Sequence, residues 1–211
     1  MYEYGVDVPQ SYSKAMVWYL KAAFQGNTSA QNSVGVLYRD GKGVAQNDTN
    51  AREWFFKAAD QGHAAAQCNL GIIYRRDNNH SKAVEWLLKA ANQGFVTAQF
   101  SVGTMYYVGR GVPRDLSKTM EWYLRASDQG YAIAQFSIGA MYDAGDGVIQ
   151  DDYAAAEWYS RAANQGYADA QFNIGVIYDR GEGVPQDYQK AMEWYLKAAN
   201  QGNADAQFRL V

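Results

Sequence analysis

All six tryptophans of this chain fall in one register. They stand at Trp18, Trp54, Trp86, Trp122, Trp158 and Trp194, at intervals of 36, 32, 36, 36 and 36 residues. The Gln-Gly pairs keep the same step, from Gln25-Gly26 through Gln61-Gly62, Gln93-Gly94, Gln129-Gly130 and Gln165-Gly166 to Gln201-Gly202. A fixed period of about 20–50 residues marks a solenoid, whose units bury their apolar faces only against neighbours. The tryptophans are therefore expected in the core. One solenoid domain is predicted over 1–211, with whole units at 27–62, 63–94, 95–130, 131–166 and 167–202 and partial units at 1–26 and 203–211.

Each unit reads as a helical hairpin. In the last whole unit the first helix is predicted from Ala168 to about Arg180, with Ala170, Ile174, Ile177 and Tyr178 at helical spacing on one face. Gly181 follows as a residue that can take positive φ and end the helix. The loop Gly181-Glu182-Gly183-Val184 runs to Pro185, which disfavours helix in the residue before it. Asp187 is then the expected N-cap of the second helix, as are Ser11, Asn47, Asn79, Asp115 and Asp151 at matching positions. A step of 100° per residue places Ala191, Trp194, Tyr195, Ala198 and Ala199 on one buried arc. The other arc carries Glu53 with Lys57, Glu85 with Lys89, Glu121 with Arg125, Glu157 with Arg161, and Glu193 with Lys197. Each is an i,i+4 pair in the favourable order, expected on a solvated outer face.

Composition excludes several classes. Nineteen basic against twenty-two acidic side chains give a net charge of −3, which disfavours a nucleic-acid binder. The charge is unevenly shared: residues 1–105 carry ten basic and eight acidic groups (+2), residues 106–211 nine and fourteen (−5). No apolar run reaches the roughly 18 residues of a membrane span, and Met1 to Gln10 do not form a secretory signal. The lone Cys68 excludes an internal disulfide framework, and with no leader in this stretch it leans towards a cytoplasmic setting. His63, at a helix start, and His80, in a short loop, lack partners at metal-ligand spacing. No catalytic residue, metal or cofactor is expected. The Gly-x-Gly loops follow helices rather than strands, so they are turns and not phosphate cradles.

The recurring pattern Ala-x-Ala-Gln-x-x-(Ile/Leu)-Gly-x-x-Tyr, a Gly-x-Gly-Val loop, then Lys-Ala-x-x-Trp-Tyr-x-Lys-Ala-Ala-x-Gln-Gly resembles the Sel1-like repeat family. Ala168 through Tyr178, Gly181 to Val184, and Lys190 through Gly202 carry the resemblance most fully. It implies an all-α solenoid of antiparallel helix pairs, related to tetratricopeptide repeats, winding as a right-handed superhelix with the first helices lining a concave surface. It also implies a non-enzymatic adaptor for peptides or proteins. Cysteine-rich relatives resemble penicillin-binding enzymes, but their disulfides have no counterpart here. Two departures stand out. The loop Arg75-Arg76-Asp77-Asn78-Asn79 is four residues short and lacks Gly-x-Gly-Val, which is expected to tighten the hairpin there. The chain also starts at the end of one first helix and stops inside another, as an excerpt of a longer array or a docking end would.

The first helix's buried arc is expected to centre near Val34 and Tyr38, leaving Ser29, Asn32, Ser33, Val36, Arg39 and Asp40 opposite. Carried through the repeats, three columns should face the concavity. A polar one holds Ser33, Asn69, Ser101, Ser137 and Asn173, suited to peptide amides. An apolar one holds Val36, Ile72, Thr104, Ala140 and Val176, suited to alternate side chains. A third, Arg39, Arg75, Tyr107, Asp143 and Asp179, passes from base to acid. The column Asn32, Cys68, Phe100, Phe136, Phe172 and Phe208 is expected to pack between repeats. The expected partner is thus a protein or peptide in this groove, with head-to-tail self-association as the alternative.

Overall fold

The cap residues Ser11, Asn47, Asn79, Asp115, Asp151 and Asp187 each accept a hydrogen bond from a first-turn amide of the helix they precede. A computed structural model describes residues 1–211 as twelve helices without a strand. They are α1 (Tyr12–Phe24), α2 (Thr28–Asp40), α3 (Asp48–Asp60), α4 (Ala64–Arg76), α5 (His80–Asn92), α6 (Val96–Val108), α7 (Leu116–Asp128), α8 (Ala132–Ala144), α9 (Asp152–Asn164), α10 (Ala168–Arg180), α11 (Tyr188–Asn200) and α12 (Ala204–Arg209). Two compact units divide the chain: 1–105 with 109–113, and 106–108 with 114–211. In the first, α1, α2, α3 and α4 each pack on the next helix up to α5, and in the second, α7 to α11 each pack on the next up to α12.

The loop of each hairpin closes by one repeated bond. The cap amide donates to the carbonyl of the tyrosine ending the first helix: Asn47 to Tyr38 at 2.9 Å, Asp115 to Tyr106 at 3.0 Å, Asp187 to Tyr178 at 2.9 Å. The first glycine of each Gly-x-Gly is the left-handed cap, as at Gly181 (φ 72°). The second marks a close approach: a Cβ on Gly43 would lie 2.5 Å from the Ser13 nitrogen at the start of α1. The short loop makes the same closure without glycine. Asn79 donates to the Tyr74 carbonyl at 2.9 Å, and Asn78 takes the left-handed conformation (φ 58°). Helix α4 runs on through Arg76, so the loop proper is 77–79. Ion pairs Arg76–Asp48 (2.9 Å) and Arg52–Asp77 brace it. His80 lies in the first turn of α5 rather than in the loop, because Asn79 already caps that helix.

A buried glycine in each first helix lets the second helix come near. A Cβ on Gly35 would meet the Phe55 ring at 2.7 Å, and one on Gly71 would meet Leu87 at 2.6 Å. Both motif glutamines are structural. Gln67 is buried and its amide donates to the Ala59 carbonyl at 3.1 Å, while its own oxygen accepts from Gln93 at 2.7 Å. Gln31 with Gln61 and Gln171 with Gln201 repeat the arrangement. Each pair adds a second donor to a carbonyl at the end of the preceding second helix, which also accepts from the amide of the turn glycine.

The tryptophan column is core only in the interior. Trp54, Trp86 and Trp122 are 7–8% exposed, Trp158 and Trp194 are half-buried, and Trp18 is 58% exposed. The outer charge ladder also differs from expectation. Only Glu85–Lys89 (2.9 Å) and Glu121–Arg125 (2.6 Å) form ion pairs. Every base instead lies over the tryptophan three residues before it, from Lys197 on Trp194 at 3.8 Å to Arg125 on Trp122 at 4.5 Å. The indole face attracts the cation and its methylene stem covers the ring, so the exposed glutamate competes poorly.

Candidate functional site on the first helices

The three columns lie on the first helices, and several of their members also touch second helices: Val36 packs on the Phe55 cluster and Ala140 on the Tyr159 cluster. In the first unit Ser33, Val36, Arg39, Asn69, Ile72 and Thr104 are half-buried, Arg75 is exposed, and Ser101 is 6% exposed. Asn69 is the junction of a polar chain between α2 and α4. Its amide donates to Asn32 at 3.0 Å, and its oxygen accepts from the Arg39 guanidinium at 3.1 Å. Arg39 also pairs with Asp40, holding that carboxyl below its usual range. The hydroxyls of Ser101 and Thr104 donate to carbonyls four residues back, at 2.8 and 3.0 Å.

In the second unit Tyr107, Ser137, Ala140, Asn173, Val176 and Asp179 are half-buried and Asp143 is exposed. Each acid of the third column is held by a tyrosine sixteen residues later: Tyr159 donates to Asp143 and Tyr195 to Asp179, both at 3.3 Å. Tyr19 donates to Glu3 in the same way. Where the column carries Arg39 and Arg75, the matching residues are Phe55 and Leu87, which have no hydroxyl to offer. Burial and then the Asp179 charge push Tyr195 up to about 12, and burial with the Glu3 bond does the same for Tyr19. Tyr159 is raised for the same reasons, burial first and Asp143 second. Asn173 faces the Tyr159 hydroxyl.

One cavity gathers members of all three columns. Tyr107, Ser137 and Ala140 line about 290 Å³ together with Tyr123, Phe136, Met141, Ala144 and Asp146. The Tyr107 hydroxyl donates to Asp146 at 2.7 Å. Asp146 lies in the α8–α9 loop and is absent from the sequence-derived columns. It is the middle residue of its Gly-x-Gly, a position the sequence marks only as turn.

Phe136 packs on Tyr159 (5.4 Å) within its hairpin and on Tyr167 (5.1 Å) at the next first helix, a contact between repeats, while Phe208 is exposed. Cys68 is buried, and burial pushes its thiol up to about 11, against the opposing charge of Arg75. His63 caps α4 through its ring nitrogen, and burial lowers its pKa. No group of three or more His, Cys, Asp or Glu is placed to hold a metal ion, and no helix is long and apolar enough to cross a membrane.

The sequence matches the family described as Sel1 repeat six times, over residues 1–27, 28–63, 64–95, 96–131, 132–167 and 168–203. Among solved structures, the chain is similar to c5321, a protective antigen of uropathogenic Escherichia coli with an SLR fold. That match has a TM-score of 0.93 and 38% identity, and covers 99% of this chain and 46% of the other. This chain thus spans about half the length of that relative. A Sel1 repeat protein from Oxalobacter formigenes matches with a TM-score of 0.86 and 36% identity, covering 92% of this chain and 79% of the other. The immunity protein Pa5087 of Pseudomonas aeruginosa, at 23% identity and a TM-score of 0.60, covering 95% of this chain and 78% of its own, shares the fold. No curated protein matches the chain.

Proposed function

The chain belongs to the Sel1 repeat family, whose members generally act as non-catalytic protein-interaction scaffolds, and we propose that it holds a peptide or protein segment along the outward face of its first helices. One observation carries this reading. Positions that fix the fold repeat almost unchanged, as Gln31, Gln67, Gln99, Gln135 and Gln171 and the glycines four residues after each do. The columns change chemical class from repeat to repeat, and only in the third does the change follow the second helix, where tyrosines meet the acids Asp143 and Asp179. A scaffold that reads a partner needs a constant frame and a varied face. Within the first unit the Asn69 amide lies among the same columns as the apolar Val36 and Ile72, and within the second unit Asn173 stands beside Val176 in the same way, each set offering an amide and apolar seats to a peptide segment. No catalytic role is assigned to any residue.

A peptide array probed with the full chain and with its Asn69→Ala/Asn173→Ala variant tests this. The reading expects a defined subset of peptides to bind and the variant to weaken it, with thermal melts showing that both proteins fold. Binding that ignores the two substitutions overturns it.

A second reading, self-association, rests on two exposed apolar groups, Trp18 and Leu196. Trp18 is exposed beside a cavity of about 380 Å³ lined by Met1, Tyr2, Ala15 and Tyr19. Leu196, 47% exposed, stands where Phe56 receives Trp86 edge-on at 6.0 Å. A second copy's Trp18 would seat there, in a heterologous contact that need not close. Sedimentation at rising concentration should then show growing species that Trp18→Ser abolishes, and a chain monomeric at hundreds of micromolar removes this reading.

A further inference from the structure

We infer that the cavity between α8 and the Tyr107–Asp146 pair is a specificity pocket for one basic side chain, lysine or arginine, of the bound partner. This rests on the outward-face reading above and sharpens it. Size is the first argument. At about 290 Å³ the cavity lies just under the roughly 300–1,000 Å³ of small-molecule sites, which suits one side chain of a longer ligand.

The lining gives the second. Phe136, Ala140, Met141 and Ala144 make apolar walls, against which a methylene stem can lie, while the Asp146 carboxylate and the Tyr107 oxygen sit together. An amphipathic cation has that same division, an apolar stem and a charged head.

Charge is the third. Asp146 has no base within ion-pairing distance, and its hydrogen-bond partner is a neutral phenol. The nearby Arg114 bonds the Tyr107 carbonyl at 3.1 Å and lies 5.7 Å over the Tyr107 ring, without pairing with Asp146. Asp143, on the same helix as the apolar walls, likewise has only the Tyr159 hydroxyl. Residues 106–211 carry fourteen acids against nine bases, so the field around the pocket favours a cation. The Tyr107 bond orients Asp146 and leaves its other lone pairs free to accept from an ammonium or guanidinium.

The test uses the full chain with its methionine methyl groups carbon-13 labelled, so that Met141 reports from the pocket wall. N-acetyl-lysine methylamide is titrated against its norleucine counterpart, which has a comparable stem and no charge. The Met141 methyl should shift saturably with the lysine probe and little with norleucine. Asp146→Asn, which keeps the shape, should weaken the lysine probe by roughly fivefold or more, as loss of a charge-assisted bond does. Added salt should weaken the wild type more than the variant. A Met141 signal indifferent to lysine, or equal response to both probes, overturns the pocket, as does an Asp146→Asn variant that binds unchanged. None of these bears on the peptide-array result, so the pocket can fail while the outward-face reading stands.

Discussion

Trp86 and Trp194 occupy the same column yet differ in burial, and the difference sets what each contributes. Trp86→Ala should cost about 3–5 kcal/mol, as truncation of a buried tryptophan does, because the ring is 8% exposed, covered by Lys89 and in T-shaped contact with Phe56. Trp194→Ala should cost clearly less, since that ring is only half-buried. Equal shifts of the denaturant midpoint would contradict the packing described here. Cys68 should resist maleimide in the native chain at neutral pH, because burial disfavours its thiolate, and rapid labelling without denaturant would contradict its placement. The tyrosine–carboxylate pairs have an alkaline consequence. A phenol whose folded pKa lies above its unfolded one contributes stability that is complete below the unfolded value and lost as pH rises through the folded one. For Tyr19 and Tyr195, raised from 10.0 to about 12, the loss falls between those two values. Stability measured across that window should decline, and Tyr19→Phe with Tyr195→Phe should flatten the decline. A variant with an unchanged slope would show that other groups cause it.

Among elements, the paired glutamines and the short loop carry consequences that composition would not suggest. Gln67→Leu should cost about 0.5–1.5 kcal/mol, because it removes one donor from the Ala59 carbonyl, which keeps its bond from the Gly62 amide, and takes the acceptor from Gln93. Glu193→Ala, on an exposed glutamate that pairs with nothing, should stay within about 0.5 kcal/mol. If both gave the same melting shift, the glutamine bonds would be incidental. Asn78 occupies a left-handed conformation that the other loops give to glycine, so Asn78→Gly should be neutral or mildly stabilising. A marked destabilisation would mean that the Asn78 side chain, rather than its backbone, closes this hairpin.

Over the whole molecule, the repeat and the caps of the second helices were legible, because period, glycine and cap residues act locally, whereas α4 runs further and α5 starts earlier than the short loop suggested. Ala168 to Arg180 and the cap at Asp187 fall where spacing put them. What escaped depended on which neighbour wins. Lys57 and Lys197 could be paired on paper with Glu53 and Glu193, yet the indole three residues away holds them. The roles of Gln67 and Gln93 were invisible, since nothing in the sequence says which distant carbonyl the Gln67 amide meets. The outward columns could be written down from 100° geometry, but Asp146 could not, because it reaches the cavity from a loop. The structure also shows that hydroxyls such as Ser101 and Ser137 donate within their own helices, and that Asn69 is engaged with Asn32 and Arg39, none of which the columns alone could tell. The decisive measurement is a calorimetric titration of an array-selected peptide into the wild type and into a variant carrying Asn69→Ala, Asn173→Ala, Arg75→Asp and Asp179→Arg. If the first helices present the binding face, affinity should fall by roughly tenfold or more, the equivalent of about 1.4 kcal/mol, while the melting transition stays cooperative. Unchanged affinity in a folded variant would contradict that face as the binding surface.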